Sequence, residues 1–210
     1  MRSLSKKLYM NKEELQQIKA SKIEVKEIKW KGPFSWVGYE DQNNLDKIPD
    51  INGIYLWAFQ YRDGYVVYCA GITNSTKRRF NEHTLEYNSG NYTVFNIREA
   101  ERGKRVEIWH GWSYAKKHRD EFNERKDEIL NAVEKQLKSF RVFVAQVPDE
   151  RIRARFESAI MHNIYSSKEP WAELADRGMH LSKRKKDELP IEIKNISNSK
   201  IYGLPEALEI

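Results

Sequence analysis

I-N-G-I-Y-L-W-A-F-Q-Y-R-D-G-Y-V-V-Y-C-A-G-I-T-N-S-T-K-R-R-F-N-E-H, residues 51–83, is the stretch from which the fold can be read. Ile51 to Gln60 is apolar, β-branched and aromatic without proline, the composition of a strand. Arg62-Asp63-Gly64 follows, and Asp-Gly between two such runs is a hairpin signal, so Tyr65 to Thr73 is expected to return as the second strand. A two-residue turn at Asp63-Gly64 sets Arg62 facing Tyr65, Tyr68 opposite Phe59 and Ile72 opposite Tyr55. Alternation of side chains then puts Tyr55, Trp57, Phe59, Tyr68 and Ala70 on one face. Ile54, Leu56, Ala58, Val67 and Cys69 take the other. Asn74 and Ser75 are both good N-caps for the helix expected next. Arg79 and His83 lie four residues apart on it, hence on one face, and Lys77 and Arg78 add positive charge to the same turn.

Beyond this stretch, 210 residues suit one domain with a real core. Lys+Arg 37 against Asp+Glu 31 gives a net charge of +6, which favours a polyanionic partner. Cys69 is the only cysteine, which excludes an intramolecular disulfide and a cysteine-based zinc site, and points to a reducing compartment. The N-terminus is Lys-rich without an apolar signal core, and no run approaches the ~18 apolar residues of a membrane span. A soluble, cytoplasmic protein with no membrane partner is the expectation.

Along the chain, residues 1–22 read as a loose basic tail and a short amphipathic helix carrying Leu15 and Ile18. Ile23 to Trp36 begins with apolar/charged alternation, a half-exposed strand that Gly32-Pro33 ends. Tyr39 to Pro49 is loop-like. Asn88 to Asn91 is a loop, Arg98 to Arg105 is dense in charge, and Val106 to Trp112 returns to strand character. Asp120 to Ser139 is the best helix, with Phe122, Ile129, Val133 and Leu137 as its apolar stripe. Arg141 to Val147 is expected as a buried strand of the central sheet. Pro148-Asp149 starts a helix to about Tyr165 with Ile152, Phe156, Ile160 and Ile164 inward, and residues 182–188 form a basic run. The reading is therefore one domain over 1–210.

Gly53-Ile54-Tyr55 followed by Tyr68-Cys69-Ala70-Gly71 resembles the paired motifs of the GIY-YIG nuclease family, the second in degenerate form. Arg79 and, one turn on, His83 fall at the family's spacing, and Glu157 in R-A-R-F-E-S-A-I matches its metal-binding glutamate. The resemblance covers 53–83 closely and 142–171 loosely. It implies an α+β fold, a three-stranded antiparallel-type sheet flanked by helices. The core would occupy about 50–87 and 140–172, with extensions at 1–49 and 173–210 and an insertion at 88–138. It implies a Mg²⁺-dependent, sequence-specific DNA endonuclease, with Mn²⁺ a substitute, acting on double-stranded DNA. A homodimeric type II restriction enzyme that cuts both strands of a palindrome is the leading expectation. Tyr55 would position or deprotonate the attacking water, Tyr68 lie at the scissile phosphate, His83 relay a proton, Arg79 clamp the phosphate and Glu157 hold the metal.

Taken singly, each residue has an ordinary explanation: strand tyrosines are usually core, and a lone arginine or glutamate on a helix is usually solvated. Together, in this order, they read as a catalytic constellation. One position departs from the pattern. Where the family has an asparagine after a Pro-aromatic pair, this chain has Pro170-Trp171-Ala172. Ala172 marks either a relaxed requirement or an inactivating substitution. DNA contacts are expected from Lys77, Arg78, Arg102, Lys104, Arg105, Lys116, Lys117, Lys183, Arg184 and Lys185, more for phosphate anchoring than for base reading. The alternatives are a repair or mobile-element nuclease nicking one strand, and a non-cleaving nucleic-acid-binding module that keeps the fold.

Overall fold

The computed structural model describes residues 23–210, so the expected N-terminal helix lies outside the described residues. In chain order the elements are β1 Glu24–Lys29, β2 Lys31–Ser35, α1 Glu40–Asn43, β3 Gly53–Tyr61, β4 Gly64–Thr73 and α2 Thr76–Asn88. The segment expected as an insertion and the residues that follow it hold β5 Val94–Phe95, α3 Ile97–Ala100, β6 Glu107–Trp109, α4 Trp112–Lys117, α5 Arg119–Glu124 and α6 Lys126–Ser139. Then come β7 Arg141–Gln146, α7 Glu150–Ser166, a 3-10 turn Pro170–Leu174, β8 Ile191–Ile196, β9 Ile201–Tyr202 and β10 Ala207–Glu209. The fold is mixed α+β.

The main sheet runs β2-β7-β3-β4-β9. Its four larger strands pair antiparallel, while short β9 joins β4 in parallel. It is therefore wider than the three strands expected. β7, β3 and β4 are nearly continuous apolar runs because both faces are covered. One face carries a packed aromatic layer: Phe59 stacks on Phe140 at 4.8 Å, and Phe80 of α2 meets Trp36 at 4.9 Å and Tyr55 at 5.2 Å. α7 lies along β4 and points the Met161 thioether at the Ala70 amide, 3.2 Å away. A second sheet, β1-β8-β10, joins the two ends of the described chain, and β5-β6 is a small third.

The hairpin forms, but its turn does not fall where Asp-Gly suggested. Tyr61 faces Gly64, so the turn residues are Arg62 and Asp63, with Arg62 at φ 50. Gly64 is drawn into the strand because β9 packs against it: a Cβ there would sit 2.3 Å from the Lys200 carbonyl oxygen. The register is consequently two residues from that expected near the turn, where Phe59 faces Val66, and one residue from it beyond Trp57, where Tyr55 faces Gly71 and Ile54 faces Ile72. A bulge opposite Trp57 absorbs the shift at Tyr68. Tyr68 thereby stays with Trp57 and Phe59, at 6.2 Å from each ring. Cys69 and Ala70 exchange places: Cys69 pairs with Trp57, and Ala70 with Leu56.

Three other expectations change. Gly32-Pro33 does not end the first strand region; β2 continues through it with a register shift, which an edge strand tolerates. Residues 120–139 form two helices, because Arg125 leaves helical geometry (φ −103°, ψ 17°). Its guanidinium binds Glu121, Glu128 and the Ile108 carbonyl at 3.0, 2.9 and 3.1 Å. Residues 191–209, read only as an extension, supply three strands, and β8 pairs in parallel with β1 from Glu24↔Ile191 to Lys29↔Ile196.

Arg153 fastens the elements on which the site depends. It is buried on α7 and donates to Val147 O at 3.0 Å, Pro148 O at 3.1 Å, Asn74 Oδ1 at 2.7 Å and the Asn52 amide oxygen. The end of β7, the residue before β3 and the residues capping α2 are thus tied to one guanidinium. Asp50 adds to this, accepting from Ser75 Oγ at 2.7 Å and from Lys77 N at 3.1 Å, a carboxylate at a helix N-terminus. Arg153→Ala strands those acceptors in a buried site and is expected to lower stability by about 3 kcal/mol in urea unfolding. A loss below about 1 kcal/mol would show that the bonds are peripheral.

Candidate functional site

Gly71 explains how Tyr55 is placed. The two residues face each other across β3 and β4, and the phenol lies flat over the glycine: a Cβ at 71 would be 2.2 Å from the Tyr55 hydroxyl. Over that glycine the hydroxyl reaches His83 Nε2 at 2.8 Å, and His83 Nδ1 reaches the Tyr92 hydroxyl at 3.1 Å. Tyr55 is 2% exposed. Burial raises its phenol far above the ordinary range, with Cys69 adding to the effect and Arg79 opposing it. Burial and the nearby Arg79 push the His83 imidazole down to about 2. The pair therefore rests as a neutral phenol sharing a hydrogen bond with a neutral imidazole, whose Nδ1 shares a second with the Tyr92 hydroxyl.

Arg79 is one turn before His83 on α2. Burial works against its charge, but the Tyr55 hydroxyl and the Glu82 carboxylate, 3.1 Å away, more than offset that and keep it protonated. Glu157 enters from α7. It is 8% exposed and has no hydrogen-bond or ion-pair partner among the described residues. Burial raises its carboxyl to about 7, with Arg79 pulling the other way. All five residues singled out in the sequence (Tyr55, Tyr68, Arg79, His83 and Glu157) line one cavity of about 440 Å³. Tyr68 is its inner wall, stacked in the aromatic layer with Trp57 and Phe140.

Ala172 is elsewhere. It is 3% exposed within the 3-10 turn and does not line the cavity. The residue this segment sends to the cavity is Asp176, which sequence reasoning missed. Its amide donates to Tyr68 O at 2.9 Å, and its carboxylate accepts from Gly178 N at 2.9 Å. Burial raises the Asp176 carboxyl, while Gly178, Arg105 and the Trp112 indole N–H lower it. Tyr92 and Trp112 were also missed. They belong to the insertion and Asp176 to the C-terminal extension, where no motif marks them.

The expected DNA contacts divide. Arg105 is spent inside the chain: it pairs with Glu107 at 2.7 Å and donates to the carbonyls of Glu173, Leu174 and Ala175. Arg78 pairs with Glu82, Arg102 with Glu99, and Arg184 with Glu209. Lys104 lies 4.0 Å from Glu99. Lys77, Lys116, Lys117, Lys183 and Lys185 are exposed, and their ammonium groups have no ion pair among the described residues. No group of three or more His, Cys, Asp or Glu side chains that could hold a metal occurs among the described residues.

Two tests of this geometry follow. Gly71→Ala drives a methyl into the Tyr55 hydroxyl and should break its bond to His83, which the imidazole NMR shifts report; unchanged shifts would refute the packing. The second concerns Glu157. Unfolded, it ionises near pH 4.5, while folded it keeps its proton to about 7, so the fold loses stability as pH rises through that window. His83 acts oppositely, with stability lost as pH falls below about 6.5. Glu157→Gln should thus gain about 2 kcal/mol over the parent near pH 8 in EDTA, and nothing near pH 4. Equal urea midpoints at both pH values would show that the carboxylate is solvated. No family model, curated protein or solved structure matches this chain.

Proposed function

We propose that the chain is a Mg²⁺-dependent, sequence-specific DNA endonuclease acting on double-stranded DNA as a homodimer, in the manner of a type II restriction enzyme. One observation carries the reading. Tyr55 from β3, Arg79 and His83 from α2 and Glu157 from α7 converge on one cavity, with a phenol-to-imidazole hydrogen bond at its wall. The resemblance to the GIY-YIG nucleases assigns that set of side chains to phosphodiester hydrolysis, and the geometry is consistent with it.

The chemistry needs a proton acceptor for the attacking water and positive charge for the developing phosphorane. A phenol held above its ordinary pKa is a poor base by itself. Tyr55 can take the water's proton only as it gives its own to His83 Nε2, so the two act as a relay rather than as rivals. The arriving phosphate also neutralises Arg79, one of the two causes that keep His83 deprotonated. Arg79 would donate to the non-bridging oxygens as the water oxygen bonds to phosphorus and the bond to the leaving oxygen breaks, the leaving oxygen taking its proton from solvent.

Glu157 fits a hard cation: a buried carboxylate with no protein partner among the described residues is the kind of ligand Mg²⁺ takes, in a shell otherwise made of waters and phosphate oxygens. Bound there, Mg²⁺ (or Mn²⁺) would supply further positive charge opposite the phosphate. Among the described residues no helix is long and apolar enough to cross a membrane.

Plasmid DNA with Mg²⁺ tests the reading. The parent should give discrete fragments, and Glu157→Ala should lose at least a hundredfold in rate, as removal of a principal electrostatic group does. Smears, or discrete fragments that persist undiminished in Glu157→Ala, would refute it. Ala172→Asn should not raise cleavage, because it places an amide in a packed apolar site outside the cavity, and should lower stability by about 1–3 kcal/mol. A gain in cleavage would show that the family's asparagine is needed here.

A further inference from the structure

Trp112 has a conformation that local structure does not explain. It opens α4 at φ 58, in the left-handed region, which a bulky side chain adopts only under outside constraint. The constraint is visible on the preceding residue. Gly111 lies so close to residues 92 and 93 that a Cβ there would sit 2.5 Å from Thr93 N, and its own N–H reaches Thr93 Oγ1 at 3.1 Å. The Trp112 N–H donates to Asn91 O at 2.8 Å. This anchoring turns the indole to the mouth of the catalytic cavity rather than into the core. It is 37% exposed, whereas Trp57 in the same cavity is 3% exposed.

The indole is held there on several sides. Gly178 lies against it so closely that a Cβ at 178 would be 3.0 Å from Cε2 and Nε1, and the indole N–H is near enough to the Asp176 carboxyl to lower its pKa. The Tyr92 ring is 5.2 Å away at 39°, and its hydroxyl is the partner of His83 Nδ1. These contacts hold the indole in place yet leave more than a third of its surface open toward the cavity, at a position where the backbone is strained. A ligand with a flat face suits that opening. Tyr55, which lines the same cavity, is only 2% exposed, so the exposed indole is the aromatic face that a ligand meets first.

We infer that Trp112, backed by Gly178 and flanked by Tyr92, is a stacking platform for an unpaired nucleobase on the strand whose phosphate enters the cavity. The inference rests on the nuclease reading for the identity of that strand. The unpaired base brings its phosphate down to Arg79, and the indole offers the base a face in place of its lost neighbours. Trp112 is on this account a positioning residue. Its neighbour Asp176 holds the indole and need not touch DNA.

The test is fluorescence of 2-aminopurine placed opposite an abasic position in a short duplex, in EDTA, with the full chain. The parent should quench it. Trp112→Leu should lose the quenching and bind about tenfold more weakly, and Trp112→Phe should keep most of both. Trp112→Gly relieves the left-handed backbone and so guards against loss of fold; it should melt close to the parent yet fail to quench. An unquenched parent, or quenching that survives in Trp112→Gly, overturns the platform. Quenching by a parent that does not cut plasmid keeps the platform and removes the nuclease; cutting by a parent that does not quench does the reverse.

Discussion

A phenol oxygen and an imidazole nitrogen 2.8 Å apart, almost out of reach of water, set the terms for the rest of the molecule. Neither group can ionise cheaply there, so both rest neutral and the bond between them is directional. Holding it requires two elements to keep fixed spacing to within a few tenths of an ångström. β3 supplies the phenol, α2 the imidazole, and Gly71 on β4 the gap through which the phenol reaches across. Around this pair the aromatic layer of Trp36, Trp57, Phe80 and Phe140 excludes water and makes the wall rigid.

The arginines show how a basic chain can spend its charge inward. Arg153 binds carbonyls and amides at the root of the hairpin, and Arg155 donates to the carbonyls of Leu189 and Ile210 at 2.7 and 2.6 Å. Arg105 reaches three successive carbonyls at the end of the 3-10 turn and stacks over Phe95, 5.1 Å from the ring centre. A guanidinium presents a planar fork that matches such oxygens and carries its charge in any environment, which suits it to this use. Exposed lysines, with arginines such as Arg62, Arg98 and Arg177, carry the charge that faces outward. Those on α2, on α4 and in the run after Ser182 are where a polyanion would meet the surface.

The hairpin, the helix with Arg79 and His83, the buried strand at 141–146 and the helix with Glu157 were legible because each is specified by neighbours in sequence. Alternation, N-caps at Ser75 and Asp149 and an apolar stripe on α7 are local signals, and the corresponding elements begin within a residue or two of where those signals fall. The turn of the hairpin was not legible. Its position depends on β9, which approaches from more than a hundred residues away and takes Gly64 for close contact. The break at Arg125 likewise depends on the Ile108 carbonyl across the fold.

The site divides along the same line. Tyr55, Arg79, His83 and Glu157 could be named from the sequence, because the motif it resembles fixes residue types at set spacings along the chain. Asp176, Tyr92 and Trp112 could not, since they reach the cavity only through the insertion and the C-terminal segment and have no fixed distance from the motif. Sequence by itself determined the local elements and the residue types that form the phenol–imidazole pair, because hydrogen-bonding and side-chain periodicity act over a few residues. Tertiary structure decided the register, the bulge that returns Tyr68 to the cavity wall, and the left-handed Trp112 at its mouth. Those outcomes are set by contacts between segments that only packing brings together.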